Sequence, residues 1–187
     1  MRFLVVLTDL ILVLLLCTAC SKRTREVALL ETDAGVIVVS FFDDMAPEHV
    51  KNFKVLSRSG FYDGTYFQRI VPGEFIQGGD PNTRDSDPLN DGTGGPGYTL
   101  KAEFSDISHR RGIVSMARGK SPDSSGSQFF ICIRELPRFD GLFTVFGKVI
   151  EGMEVVDKIG SLPVDSAGTP REKIYLKSVV IEERPAR

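Results

Sequence analysis

Short apolar runs broken by turn residues dominate the chain, and helical spacing intervenes twice. Residues 27–30 and 35–42 (GVIVVSFF) are β-branched and apolar, and Asp33-Ala34-Gly35 separates them. Two such runs about a short turn predict a β-hairpin. Pro47 then opens residues 48–59, where Val50, Phe53, Val55 and Leu56 mark one face at helical spacing, and Gly60 follows. Pro in the first turn and Gly after the last predict an amphipathic helix. Tyr62-Asp63-Gly64 reads as a turn. Residues 65–71 and 74–77 read as strands on either side of Pro72-Gly73, and residues 80–97, rich in Gly, Pro, Asn and Asp, as a long loop. Further strands are predicted over 98–104, 113–117, 128–133, 144–149 and 174–182, and a second helix over 153–159. Many short strands, two helices and no β-α-β alternation predict a mainly β fold, a closed antiparallel barrel capped by helices. Neither an internal repeat nor an interdomain linker is visible.

The start of the chain follows a different pattern. Arg2 supplies positive charge, residues 10–16 (LILVLLL) form an apolar run, and Thr18-Ala19 precede Cys20. A charged start, an apolar stretch and small residues predict a secretory signal peptide over residues 1–19. Thr-Ala-Cys also resembles a bacterial lipobox, in which the Cys is acylated and becomes the mature N-terminus; Cys17 stands where Leu, Val or Ile is usual. This reading makes Cys20 the lipidation site, residues 20–26 a lipidated Cys with a short polar tether, and residues 27–187 the folded domain. An ordinary cleaved signal and an uncleaved anchor are the alternatives. Asp9 interrupts the apolar stretch, and the unbroken part falls short of the about 20 residues a membrane span needs. The expected location is the bacterial cell envelope, with a membrane-anchored lipoprotein facing the periplasm or the exterior.

Composition narrows the function. The chain has 187 residues, enough for one domain once a leader is set aside, and its apolar share of 42% with 26% charged residues describes a globular body. A formal net charge of -2 argues against a nucleic-acid binder, which would carry a basic surface. With Cys17 in the leader and Cys20 acylated, Cys132 is left over, so no internal disulfide is expected; it lies in the apolar run FFICI and reads as a buried structural thiol. Two His and one spare Cys offer no zinc site, and no cofactor is expected. Gly92 to Gly97 fits G-x-G-x-x-G, but a strand-like Tyr98-Thr99-Leu100 follows where a phosphate site needs a helix, so a structural loop is the better reading. Ser124-Ser125-Gly126-Ser127 lacks the G-x-S-x-G elbow, and neither His49 nor His109 is placed as its base; Arg110 and Arg111 beside His109 would disfavour its protonation.

Three segments remain unexplained by packing alone. In residues 67–80, strand alternation puts Phe75 and Gln77 on one face, and Arg69 joins them if the strand direction is kept through Pro72-Gly73. Arg is rarely buried without a partner, so Arg69 points to an open groove. In residues 115–132, Gln128 and Phe130 share a face; residues 139–149 add Phe139 and Phe143. Together these describe a groove lined by Phe with a few donors, or a Phe-rich core with incidental polar residues.

The motifs F-x-R-I-V-P-G-x-F-I-Q-G-G-D, S-M-A-R…G-S-Q-F-F-I and F-D-G-x-x-T-V-F-G-K-V resemble the hallmark blocks of cyclophilins, in the family's order. The resemblance covers roughly residues 27–182. It implies an eight-stranded barrel closed by two helices, peptidyl-prolyl cis-trans isomerase activity, and proline-containing polypeptides as partners of a monomeric enzyme. Position by position, it makes Arg69 the catalytic Arg, with Gln77 and Phe130 in the same machinery. Gln77 and Gln128 become substrate-orienting amides, and Phe75 and Phe130 walls of the proline pocket. Met116, Ala117 and Arg118 fall along the adjoining groove, Phe139 falls at the rim, and Phe143 stands in place of a common His. Glu74 replaces a frequent Phe, Arg118 a common Asn, and Arg138 the Trp that some members use for cyclosporin. These exchanges imply an altered substrate preference. A non-catalytic peptide-binding or chaperone module on the same fold is the second reading. A structural envelope lipoprotein is the third.

Overall fold

The computed structural model describes residues 24–185. The expected signal peptide and Cys20 lie outside the described residues. The elements run β1 (Thr24–Thr32), β2 (Gly35–Phe41), α1 (Pro47–Arg58), β3 (Arg69–Val71), β4 (Phe75–Gly78), β5 (Ile113–Met116), β6 (Phe129–Cys132), β7 (Val145–Glu151), α2 (Met153–Gly160) and β8 (Leu176–Pro185). Short 3-10 turns at Pro81–Arg84 and Pro137–Phe139 complete them. All strand pairings are antiparallel, in one eight-stranded sheet ordered β3-β4-β6-β5-β7-β2-β1-β8.

The ladder stops at β3 and β8 instead of closing into the expected barrel. The segments leading into those strands meet through the isolated bridge Tyr66–Tyr175, with Leu176 N–H donating to Thr65 O at 2.7 Å and Phe67 N–H to Ile174 O at 3.3 Å. A bridge one residue long joins the edges without extending the ladder. The folded unit also begins three residues earlier than expected. Thr24, Arg25 and Glu26, read from sequence as the end of a tether, pair with Pro185, Arg184 and Glu183 of β8. The predicted strand over 98–104 is absent apart from a bridge between Leu100 and Ser125. Side chains there replace a ladder: Ala102 N–H donates to Asp123 Oδ1 at 2.8 Å and Glu103 N–H to Thr144 Oγ1 at 3.0 Å. Backbone donors satisfied in this way need no neighbouring strand.

Strand alternation divides the sheet's residues between two faces. Ile70, Ile76, Ile131 and Val114 are cross-strand neighbours over β3, β4, β6 and β5, and all four belong to the main core. Phe53 of α1 fills that core, with its ring centroid 5.0 Å from Tyr62, 5.2 Å from Phe146 and 5.6 Å from Phe129. Burying each such side chain stabilises the fold by about 1.5–3 kcal/mol. Offset one residue along the same strands, Arg69, Gln77, Phe130 and Ser115 form the opposite row. On that face lies a second apolar cluster of Phe75, Ile113, Phe130, Cys132, Leu136 and Val145.

Candidate active site

The groove grows from this second row. Its first wall is the β3–β4 hairpin, which reverses at Pro72-Gly73. Arg69 and Phe75 come together through cross-strand pairing of the hairpin, and the sequence expectation of an unbroken strand direction is corrected here. Arg69 is the direct partner of Gln77, and Val71 that of Phe75. The Arg69 guanidinium carbon stands 5.5 Å from the centre of the Phe75 ring. Among the described residues no carboxylate pairs with Arg69, which is exposed and keeps its donors free.

Four aromatic rings line the floor and far wall. Phe75 and Phe130 centroids are 5.4 Å apart, Phe130 and Phe139 5.6 Å, Phe130 and Phe143 5.4 Å, and Phe139 and Phe143 4.9 Å. They are tilted or edge-to-face, the arrangement that ring quadrupoles favour. The groove they line measures about 800 Å³ and also touches Arg69, Gln77, Ala117 and Arg118. A second, adjoining cavity of about 570 Å³ shares Gln77, Gly92, Ala117 and Arg118, and is walled by residues 93–99, Ser127 and Gln128. Of the residues expected to line the groove, Met116 does not. It is fully buried in the main core opposite Phe129, because alternation turns it inward between Ser115 and Ala117.

Gln128 is more constrained than an orienting amide would be. Its Nε2 donates to Gly92 O at 3.0 Å and to Gly94 O at 2.9 Å, while its Oε1 accepts from Gln77 Nε2 at 2.9 Å. Two carbonyls fix the nitrogen end of Gln128, so Gln77 must present its own nitrogen to the oxygen end. The Gln128–Gln77 pair thereby latches the glycine-rich segment to the groove. The G-x-G-x-x-G pattern is a cavity wall, and no helix follows it. Asp80, fully buried, secures the same segment by accepting from Asn82 N–H at 2.8 Å and from Gly92 N–H. Gly79 precedes it with φ +86°, and a Cβ there would meet Ser127 O at 2.6 Å. That explains the second Gly of the Q-G-G-D run.

Beneath the rings lies a polar chain that the sequence did not reveal. Ser115 Oγ is 2.9 Å from His109 Nε2, and His109 Nδ1 is 2.9 Å from Asp140 Oδ1, which also accepts the His109 backbone N–H at 2.7 Å. These partners assign the proton to Nδ1 and leave Nε2 to accept from the serine. The order is that of a hydrolase triad, but Ser115 and His109 are fully buried, so no substrate carbonyl can reach the hydroxyl. The His109 ring instead supports the groove, nearly parallel to Phe130 at 6.0 Å and edge-on to Phe139 at 5.9 Å. Burial lowers the His109 pKa, against the pull of Asp140. Arg110 and Arg111, expected from sequence to disfavour its protonation, pair elsewhere, with Glu135 and Asp157. Asp140 is held below the usual carboxylate range, first by the His109 backbone N–H. Cys132, paired with Phe75, is buried, and desolvation pushes its thiol up to about 12, which leaves it unreactive.

Charged groups crown the rim. Glu74 accepts from both Arg134 and Arg138, and its carboxyl is held below its usual range, first by Arg138. The Arg138 guanidinium lies 4.7 Å over Phe139, and that of Arg118 lies 4.8 Å over Phe143. Arg118 also donates from Nε to Leu142 O and from Nη1 to Gly119 O, each at 3.0 Å.

Known proteins share this chain's sequence and fold. A family profile described as cyclophilin type peptidyl-prolyl cis-trans isomerase/CLD matches residues 27–181. A peptidyl-prolyl cis-trans isomerase of Synechococcus elongatus is 42% identical over 145 residues, covering 73% of this chain and 94% of its own. One from Helicobacter pylori is 43% identical over 136 residues, covering 71% and 78%. A cyclophilin type peptidyl-prolyl cis-trans isomerase of Cryptosporidium parvum, crystallised in the presence of the dipeptide Ala-Pro, superposes with a TM-score of 0.76 at 35% identity, covering 83% of this chain and 98% of that one.

Proposed function

This chain belongs to the cyclophilin-type peptidyl-prolyl cis-trans isomerase family, and from that membership we propose how its groove turns an X–Pro bond and where it does so. Rotation about a peptide bond faces a barrier of about 18–20 kcal/mol, set by amide resonance. X–Pro bonds populate both isomers and exchange slowly. Lowering that barrier needs no nucleophile and no proton shuttle; it needs a site that binds the twisted amide more tightly than either planar form.

The proline ring sits against Phe75 and Phe130, with Phe139 and Phe143 closing the far side. Arg69 donates to the prolyl nitrogen, whose lone pair becomes available only as resonance breaks. Gln77, beside Arg69, holds the peptide backbone. The observation that carries this reading is the cross-strand row Arg69–Gln77–Phe130 with Phe75 in contact: an unpaired guanidinium stands at the edge of an apolar aromatic pocket. A fixed donor aimed at charge that develops in the transition state contributes a few kcal/mol, on the order of 2.7–4. Gln128 acts mainly by holding the glycine-rich wall, and Ala117 and Arg118 border the path of the peptide. The Ala-Pro dipeptide of the Cryptosporidium parvum crystals is a substrate fragment of the kind this pocket would accept.

The polypeptides served are exported or envelope proteins, and the enzyme is a monomer tethered through acylated Cys20. The charged start, apolar run and Thr-Ala-Cys of residues 1–20 support this placement. The roles within the groove separate kinetically. Measured by exchange spectroscopy on an Ala-Pro peptide, Arg69→Ala is expected to lower kcat about 100-fold or more with KM little changed. Phe130→Ala should chiefly raise KM. An Arg69→Ala variant that raised only KM would overturn the donor role.

A further inference from the structure

Resting on the isomerase reading above, we infer that this groove selects X–Pro bonds flanked by acidic residues, and that Arg138 and Arg118 set the preference. Three guanidinium groups line the groove, those of Arg69, Arg118 and Arg138, and a fourth, Arg134, stands against Glu74. Two carboxylates line the same groove, those of Glu74 and Asp91. Glu74 is shared between Arg134 and Arg138. Asp91 accepts from the Tyr66 hydroxyl, and the Lys173 ammonium lies 4.4 Å over that tyrosine ring. Cations therefore outnumber anions at the groove of a chain whose formal net charge is -2.

The two rim arginines are placed to meet a substrate. Phe139 and Phe143, 4.9 Å apart, wall one side of the proline pocket, and each carries a guanidinium on its ring. Arg138 gives one nitrogen to Glu74, and its side chain remains 51% exposed, so other donors of its fork stay open to a ligand. Arg118 spends its donors on carbonyl oxygens, which leave its charge uncompensated; among the described residues no carboxylate pairs with it. A peptide carboxylate entering beside the proline ring meets unneutralised guanidinium charge, and a lysine meets repulsion. Attraction of one sign with rejection of the other is how charge confers selectivity. Glu74 tempers the effect by holding half of the Arg134–Arg138 charge.

The test uses proline peptides with Ala, Glu or Lys one or two residues to either side of the prolyl bond, assayed by exchange spectroscopy so that no coupling protease adds its own preference. At low salt the kcat/KM of the Glu peptides is expected to exceed that of the Lys peptides roughly two- to fivefold, the scale of partly exposed charge pairs. The ratio should shrink toward one in 0.5 M salt. Arg138→Glu should bring the ratio to one or below, and Glu74→Gln should raise it. Because the ratio is taken within each variant, a general loss of activity does not disturb it. Turnover of the Ala peptide with equal rates for Glu and Lys would overturn the acidic preference and leave the isomerase reading intact. A ratio unmoved in both variants would remove Arg138 from the account. No turnover of any peptide would contradict the isomerase reading itself.

Discussion

Arg69 and His109 show how differently two polar residues can declare themselves. Arg69 interrupts an apolar strand pattern, and an unpaired guanidinium there needs an open groove to face; the sequence exposed it as soon as the pattern was read. His109 carries no such signal, because Ser115 and Asp140 reach it only through the folded chain. Its contribution to stability should depend on pH. Burial holds the folded His109 below its ordinary 6.5, so on acidification the unfolded chain takes up the proton first. Stability should therefore fall as pH drops below 6.5 and level off once the folded pKa is passed. Glu74 and Asp140, depressed from 4.5 and 3.8, lose their contributions only at lower pH. Urea midpoints measured between pH 7.5 and 5 should decline in the native chain and decline less in a His109→Asn variant; equal slopes would contradict the assignment. Met116 is the opposite lesson. Its motif suggested the groove, yet a one-residue step along a strand reverses the face, and it lies in the core.

At the scale of elements, local pattern located nearly every strand and both helices, since β-branched runs, Pro47 and Gly60 act over a few residues. It failed where long-range contacts decide. The Pro72-Gly73 turn makes a hairpin of β3 and β4, and cross-strand pairing then aligns Arg69 with Gln77. Residues 98–104 look like a strand, but Glu103 serves the start of α1 instead. Its carboxylate accepts from the Glu48 N–H at 3.2 Å, the His49 N–H at 3.1 Å and lies 2.7 Å from His49 Nδ1. These N–H groups have no partner within their own helix, and a carboxylate also suits the positive end of the helix dipole. Glu103→Ala is expected to cost about 1–2 kcal/mol, with faster amide exchange in the first turn of α1. An unchanged melting midpoint and unchanged exchange would show that the cap contributes nothing. Sequence cannot anticipate a cap supplied from 55 residues away.

For the molecule as a whole, the sheet gives one face to the main core and the other to the groove, a division that follows from strand alternation. The sheet's edges at β3 and β8 were not legible, because closure depends on the single Tyr66–Tyr175 bridge between distant segments. Thr24 already pairs with Pro185, so only a few residues separate Cys20 from the body. With Cys20 acylated as proposed, those residues would span about 14 Å at full extension and hold the domain close to a membrane. Intact mass of the mature protein should show an acylated N-terminal Cys20, and Cys20→Ser should release the protein to the soluble fraction; an unmodified terminus would contradict the anchor. Arg69, beside the Phe75–Phe130 pocket, is proposed to accelerate rotation about X–Pro bonds. The direct measurement is the slow refolding phase of a protein limited by prolyl isomerisation, followed with catalytic amounts of the native chain or of Arg69→Ala. Acceleration by the native chain that is largely lost in the variant is the predicted result; equal acceleration by both would contradict the claim.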